Sequence, residues 1–144
     1  MSLEPKNEPV INIISVEMDD RAFLLPEARN IVQLKFIAEP GSKVSLEFVY
    51  AHNASHLPPS RITLDYEDAK DFCTRLVDAV YRAQTQNFIS ESAHIAITLV
   101  PNGYIWMIEE GGSKRQFYMS TGVVWRVCNA LYRIVDIQSP VASH

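Results

Sequence analysis

The side chains in this chain that could do chemistry are few and scattered. Its four histidines are His52, His56, His94 and His144. His52 and His56 lie four apart, but Asn53-Ala54-Ser55 and Pro58-Pro59 put them in a loop, not on one helix face. Zinc takes three or four ligands, and no cysteine or third histidine lies near that pair, so no metal is expected. Cys73 and Cys128 fall among apolar neighbours on helical patterns and read as buried free thiols. The chain has no G-x-S-x-G, no G-x-G-x-x-G and no G-x-x-x-x-G-K. Glu109-Glu110 beside Gly111-Gly112 reads as a solvated hairpin end. No catalytic residue and no cofactor are assigned, and the expectation leans away from an enzyme.

A second group is basic and aromatic. Lys114 and Arg115 precede Phe117 and Tyr118, and Arg126 and Arg133 lie on the helical pattern that follows. Single-stranded nucleic acid binds where rings stack its bases in a positive groove. Lys114, Arg115, Arg126 and Arg133 are therefore the nucleic-acid-binding candidates. The formal net charge of −4 weighs against phosphate as the main partner.

The elements that must position these residues fit a chain of 144 residues, a length that suits one domain. Apolar residues at 47% and charged residues at 21% are those of a globular chain. Residues 1–9 are expected to be a disordered arm, 10–138 a single α+β domain, and 139–144 a flexible tail. No apolar h-region opens the chain and no apolar run reaches ~18 residues, so a cytoplasmic protein away from membranes is expected. Residues 10–16 form a first strand, and Phe23-Leu24-Leu25 is a candidate core contact.

Residues 31–38 and 43–50 alternate and join through Pro40-Gly41-Ser42. A three-residue loop sets Ala38 opposite Val44, Phe36 opposite Leu46, Leu34 opposite Phe48, Val32 opposite Tyr50 and Lys35 opposite Glu47. Residues 51–60 are a polar loop and 61–64 a short strand. Asp65 caps a helix reaching about residue 83, with Ala69, Phe72, Cys73, Leu76, Val80 and Ala83 as its apolar stripe. Residues 84–92 read as a connector. Residues 93–100 and 104–110 form a second hairpin whose Asn102-Gly103 loop pairs Leu99 with Trp106 and Ile97 with Ile108. Residues 116–119 are a strand, and Ser120 or Thr121 caps a second helix reaching about residue 137.

The two halves align. Adding 55 takes Asp65 to Ser120, Ile62 to Phe117, Phe72 to Val127, Cys73 to Cys128 and Leu76 to Leu131. The expectation is a duplicated βββα unit, with antiparallel sheets, two helices and a pseudo-two-fold, its halves near 31–83 and 93–137. This strands-then-helix repetition resembles the Pur and Whirly type of single-stranded DNA-binding domain. The resemblance covers about residues 31–137 and rests on element order. It implies nucleic-acid binding and transfers no binding residue.

The halves differ on their outward faces. The first shows Gln33, Lys35, Glu39, Lys43, Ser45 and Glu47, whereas the second shows Ala96, Thr98, Val100, Ile105 and Met107, with Tyr118 beside them. A monomer seldom leaves such a patch bare. Trp125 and Tyr132 line the outer side of the second helix. Val100, Ile105, Met107, Tyr118, Trp125 and Tyr132 are therefore the interface candidates. The leading expectation is a non-catalytic regulatory or accessory protein that binds a protein partner and itself as a homodimer. The alternatives are single-stranded nucleic-acid binding and an enzyme of unknown type.

Overall fold

The computed structural model describes residues 12–18, 31–50, 60–91 and 93–140. The expected arm at 1–9, Phe23-Leu24-Leu25, His52, His56 and His144 lie outside the described residues. So do most of the 51–60 loop and all but the start of the expected tail.

The chain runs β1 (Ile13–Glu17), β2 (Ile31–Glu39), β3 (Lys43–Tyr50), β4 (Ser60–Leu64) and α1 (Tyr66–Tyr81). It continues with β5 (Gln86–Ile89), β6 (His94–Val100), β7 (Gly103–Glu110), β8 (Ser113–Ser120) and α2 (Thr121–Gln138). Each set of four strands forms an antiparallel sheet in sequential order. The fold is α+β, and the same element order, ββββα, occurs twice. β5 corrects the expected connector at 84–92. Phe88 is its one buried side chain and Ile89 stands out in solvent, so the strand has almost no alternating pattern to announce it.

Both helices begin at the expected caps. The Asp65 carboxylate accepts from the Asp68 N–H at 2.8 Å, and the Ser120 hydroxyl accepts from the Val123 N–H at 3.4 Å. α1 stops short of residue 83, because Ala83 takes φ 51, the left-handed region where helices terminate. Each helix packs across to the other half. α1 lies against β5 and touches β3, β4 and β6, while α2 lies on β1 and β2 and touches β7 and β8. The helices also pack on each other.

One core results. Phe48 of β3 stacks on Phe117 of β8 with centroids 5.1 Å apart. Phe72 of α1 meets Phe88 at 5.1 Å and the edge of Trp106 at 5.8 Å. All five rings are buried.

The first hairpin keeps the expected register from Glu39↔Lys43 through Leu34↔Phe48. It departs at the far end. A bulge between Ile31 and Gln33 pairs Ile31 with Tyr50, so Val32 does not face Tyr50. One extra residue on β2 reverses the side-chain alternation, burying Ile31 and leaving Val32 44% exposed.

The second hairpin corrects the expected loop. Its turn is Pro101-Asn102, which pairs Val100 with Gly103, Leu99 with Tyr104 and Ile97 with Trp106. Proline presets the first turn position, and Asn102 tolerates φ 68 at the second. Gly103 opens β7 instead, and a Cβ there would sit 2.4 Å from the Met119 carbonyl oxygen and 2.7 Å from the Tyr118 hydroxyl. The slip is two residues, so every side chain keeps its expected face.

Candidate interaction surfaces

The two sheets can be superposed by register, because Leu46↔Ile62 corresponds to Trp106↔Phe117. The row Lys35, Glu47, Arg61 then matches Ala96, Met107, Gln116. The row Ile37, Ser45, Thr63 matches Thr98, Ile105, Tyr118. Both rows lie on the faces turned away from the buried strand residues.

On the first sheet that face is closed by polar contacts. Arg61 reaches Glu39 at 3.3 Å and Glu47 at 3.0 Å. The Ser45 hydroxyl donates to Glu39 at 2.8 Å and lies 2.7 Å from the Thr63 hydroxyl. Ser45 is fully buried on this face.

On the second sheet the matching positions have no such lattice. Val100, Ile105, Met107 and Tyr118 are half-buried, and both helices lie against the opposite face. Tyr118 folds across the hairpin end over Gly103, and its hydroxyl donates to the Asn102 carbonyl at 3.0 Å. Among the described residues, charge returns at the far end, where Glu109 meets His94 at 3.3 Å and Lys114 at 3.5 Å.

Trp125 and Tyr132 stand on a different surface. They are 46% and 64% exposed on α2, with the sheet between them and Met107. Tyr132 borders a groove of about 430 Å³ between the helices, together with Tyr66, Val77 and Asp136. The six interface candidates thus divide into a sheet patch of four and a helical pair.

The four basic candidates do not converge. Lys114 pairs with Glu109 on the outer sheet face. Arg115 turns inward to bridge the two sheets, donating to the Ser60 hydroxyl at 2.6 Å with Glu110 at 3.7 Å. Arg126 and Arg133 sit exposed on α2 and make no ion pair with any described residue. They border a second groove, about 380 Å³, with Asn129 and the β1 residues Ile14, Ser15 and Glu17. No residue pattern announces this groove, because β1 meets α2 only through tertiary packing across some hundred residues.

The thiols are buried and unpaired. Burial pushes Cys73 up from its ordinary 9.0 to about 11. Burial, and then the neighbouring Cys73, push Cys128 to about 12. A thiol held protonated is a poor nucleophile. Burial also raises Tyr104, whose hydroxyl donates to the Ala79 carbonyl at 3.1 Å and ties β7 to α1. Among the described residues no helix is long and apolar enough to cross a membrane.

Compared with protein-family models and with curated proteins, the chain matches none of them.

Proposed function

We propose that this chain is a non-catalytic accessory protein that works by protein–protein contact, as a homodimer joined through the outer face of β6, β7 and β8. One observation carries the reading. Where the first sheet has Lys35, Glu47 and Arg61, the second has Ala96, Met107 and Gln116, with Ile105, Val100 and Tyr118 alongside. No described element lies over that patch. Two copies related by a two-fold would bury it sheet on sheet, at the ~10 Å spacing of packed sheets. Both cysteines are buried, so neither thiol is poised to act as a nucleophile. A regulatory role in the cytoplasm belongs to the same proposal.

Size-exclusion chromatography with light scattering tests it. The wild-type chain, 16.3 kDa per copy, is expected to elute as two copies. Met107→Lys is expected to yield one copy, and Trp125→Lys to leave the dimer intact. A wild-type monomer at every concentration removes the proposal. Dissociation by Trp125→Lys alone would move the interface to the helices. Single-stranded nucleic-acid binding has less support, since its basic candidates are spread over three surfaces.

A further inference from the structure

We propose that β1 is a docking edge for an extended acidic segment of a partner protein, which adds a fifth strand to the first sheet and sets its carboxylates against Arg126 and Arg133. This surface is separate from the sheet patch proposed for the dimer, and the inference stands without it.

The backbone supplies the first part. Among the described residues β1 pairs with β2 alone, so its other side is an edge of the described sheet. The Met18 N–H donates to the Val32 carbonyl, and the Ala38 N–H to the Asn12 carbonyl. In an antiparallel pair, alternate residues aim both backbone groups at the partner. Asn12, Ile14, Val16 and Met18 therefore face β2. Ile13, Ser15 and Glu17 turn their N–H and C=O groups outward, with no partner among the described residues. An incoming strand finds a ready ladder there.

Charge supplies the second part. Arg126 and Arg133 are two helical turns apart, ~10.5 Å along α2, and both border the groove against β1. Alternate residues of an added strand point toward the same side at ~6.8 Å intervals. Two carboxylates two or four residues apart would come within reach of the two long side chains. The matching positions of α1, 55 residues earlier, are Asp71 and Asp78. Arg75 meets Asp71 at 3.2 Å, and Arg82 meets Asp78 at 3.8 Å. Only the α2 version of this surface is cationic and unbridged. Glu17 does not neutralise it, because it accepts from the Gln33 amide at 2.6 Å on the other face of β1.

The same charges choose the occupant. A second copy pairing β1 to β1 would bring four arginines to one seam, and like charges repel. A nucleic acid could use the arginines but has no backbone to extend the ladder.

The test is fluorescence anisotropy with a fluorescein-labelled nine-residue peptide in which aspartate alternates with threonine or valine. Saturable binding that weakens with salt is expected. Arg126→Ser with Arg133→Ser is expected to weaken it at least ~tenfold, as loss of charge-assisted bonds would. Ser15→Pro is expected to do the same, because it deletes an outward N–H and leaves the β2 ladder whole. Two peptides N-methylated on alternate amides keep the test decisive should Ser15→Pro misfold. One should bind and the other should not, since only one set of amides faces β1. Equal binding by both overturns strand addition. Absence of saturable binding up to ~1 mM peptide, equal binding of a lysine-for-aspartate peptide, or tighter binding of a labelled oligothymidylate would also overturn the proposal.

Discussion

The first and second sheets share strand order and register but not their outward chemistry. At one set of matched positions the first sheet carries Lys35, Glu47 and Arg61, and the second Ala96, Met107 and Gln116. At the next set Ser45 and Thr63 bond to each other where Ile105 and Tyr118 lie side by side. The inward faces diverge far less, since both are largely apolar, broken by Ser60 on the first sheet and by Arg115 and Glu110 on the second. The core thus sets what both halves must be, and the outer face is where they are free to differ. A face bridged by arginine and carboxylates satisfies itself, whereas a face of Met107 and Ile105 lowers its free energy by acquiring a partner.

This contrast within one core would lose its meaning if the halves were separate folding units. The Phe48–Phe117 stack and the Phe72–Trp106 contact argue that they are not. Phe117→Ala removes a fully buried ring that packs on the other sheet. It is expected to cost ~3–5 kcal/mol, the range for aromatic truncation in a core. Chemical denaturation followed by both fluorescence and circular dichroism should show one coincident transition moved to lower denaturant. Two transitions, with the first sheet undisturbed, would show that each half holds itself up.

Much of this division is legible in the residue pattern, and the reasons are local. The caps Asp65 and Ser120, the apolar stripe of α1 from Ala69 to Val80 and the Glu39-to-Leu34 side of the first hairpin follow from spacing alone. The outer-face contrast is legible too, because a two-residue slip in the second hairpin leaves each side chain on its face. What spacing could not show depends on contacts distant in sequence. The bulge at Val32 pairs Ile31 with Tyr50, and β5 sets Phe88 against Phe72 of α1. The groove beside β1 appears only when α2 crosses to the first sheet. Arg115 reads as a free cation in sequence, yet it is held by Ser60, 55 residues away.

The two hairpin ends differ as the sheets do. Gly41 needs its freedom of conformation, with φ 80 and no atom within 4 Å of where a Cβ would stand, whereas Gly103 needs empty space. Gly103→Ala would drive a methyl group into the Met119 carbonyl and the Tyr118 ring, at an expected cost of ~1–3 kcal/mol. Gly41→Ala should cost about 1 kcal/mol, from left-handed strain alone. Tyr118→Ala in the Gly103→Ala background should recover only part of the loss, because the backbone clash remains. Thermal unfolding of the four proteins would measure this, and full recovery would place the whole cost on the Tyr118 ring.

The thiols are matched positions, Cys73 and Cys128, and here the halves are expected to agree. Both are raised by burial from 9.0, to about 11 and about 12. The folded state therefore binds protons more tightly than the unfolded chain. The resulting stabilisation is complete below pH 9 and is lost as pH rises through about 11 to 12. Replacing both cysteines by alanine should flatten the fall in stability over that window. An unchanged alkaline profile would assign the fall to other groups, Tyr104 among them.

The weakest effect is expected on the outer faces themselves. Arg61 is half exposed and bridges Glu39 and Glu47, so Arg61→Ala should cost ~1 kcal/mol or less. That cost is Coulombic at a surface and should shrink as salt rises, since the Debye length falls from ~10 Å at 0.1 M to ~3 Å at 1 M. Gln116→Ala, at the matched position of the second sheet, removes no ion pair and should show no such dependence on salt. Urea denaturation of both variants at low and high salt separates the two faces. If both respond to salt alike, the first sheet's arginine bridge contributes nothing of its own. Its closed face would then need another cause, and the buried Ser45 hydroxyl between Glu39 and Thr63 is the group left to supply it.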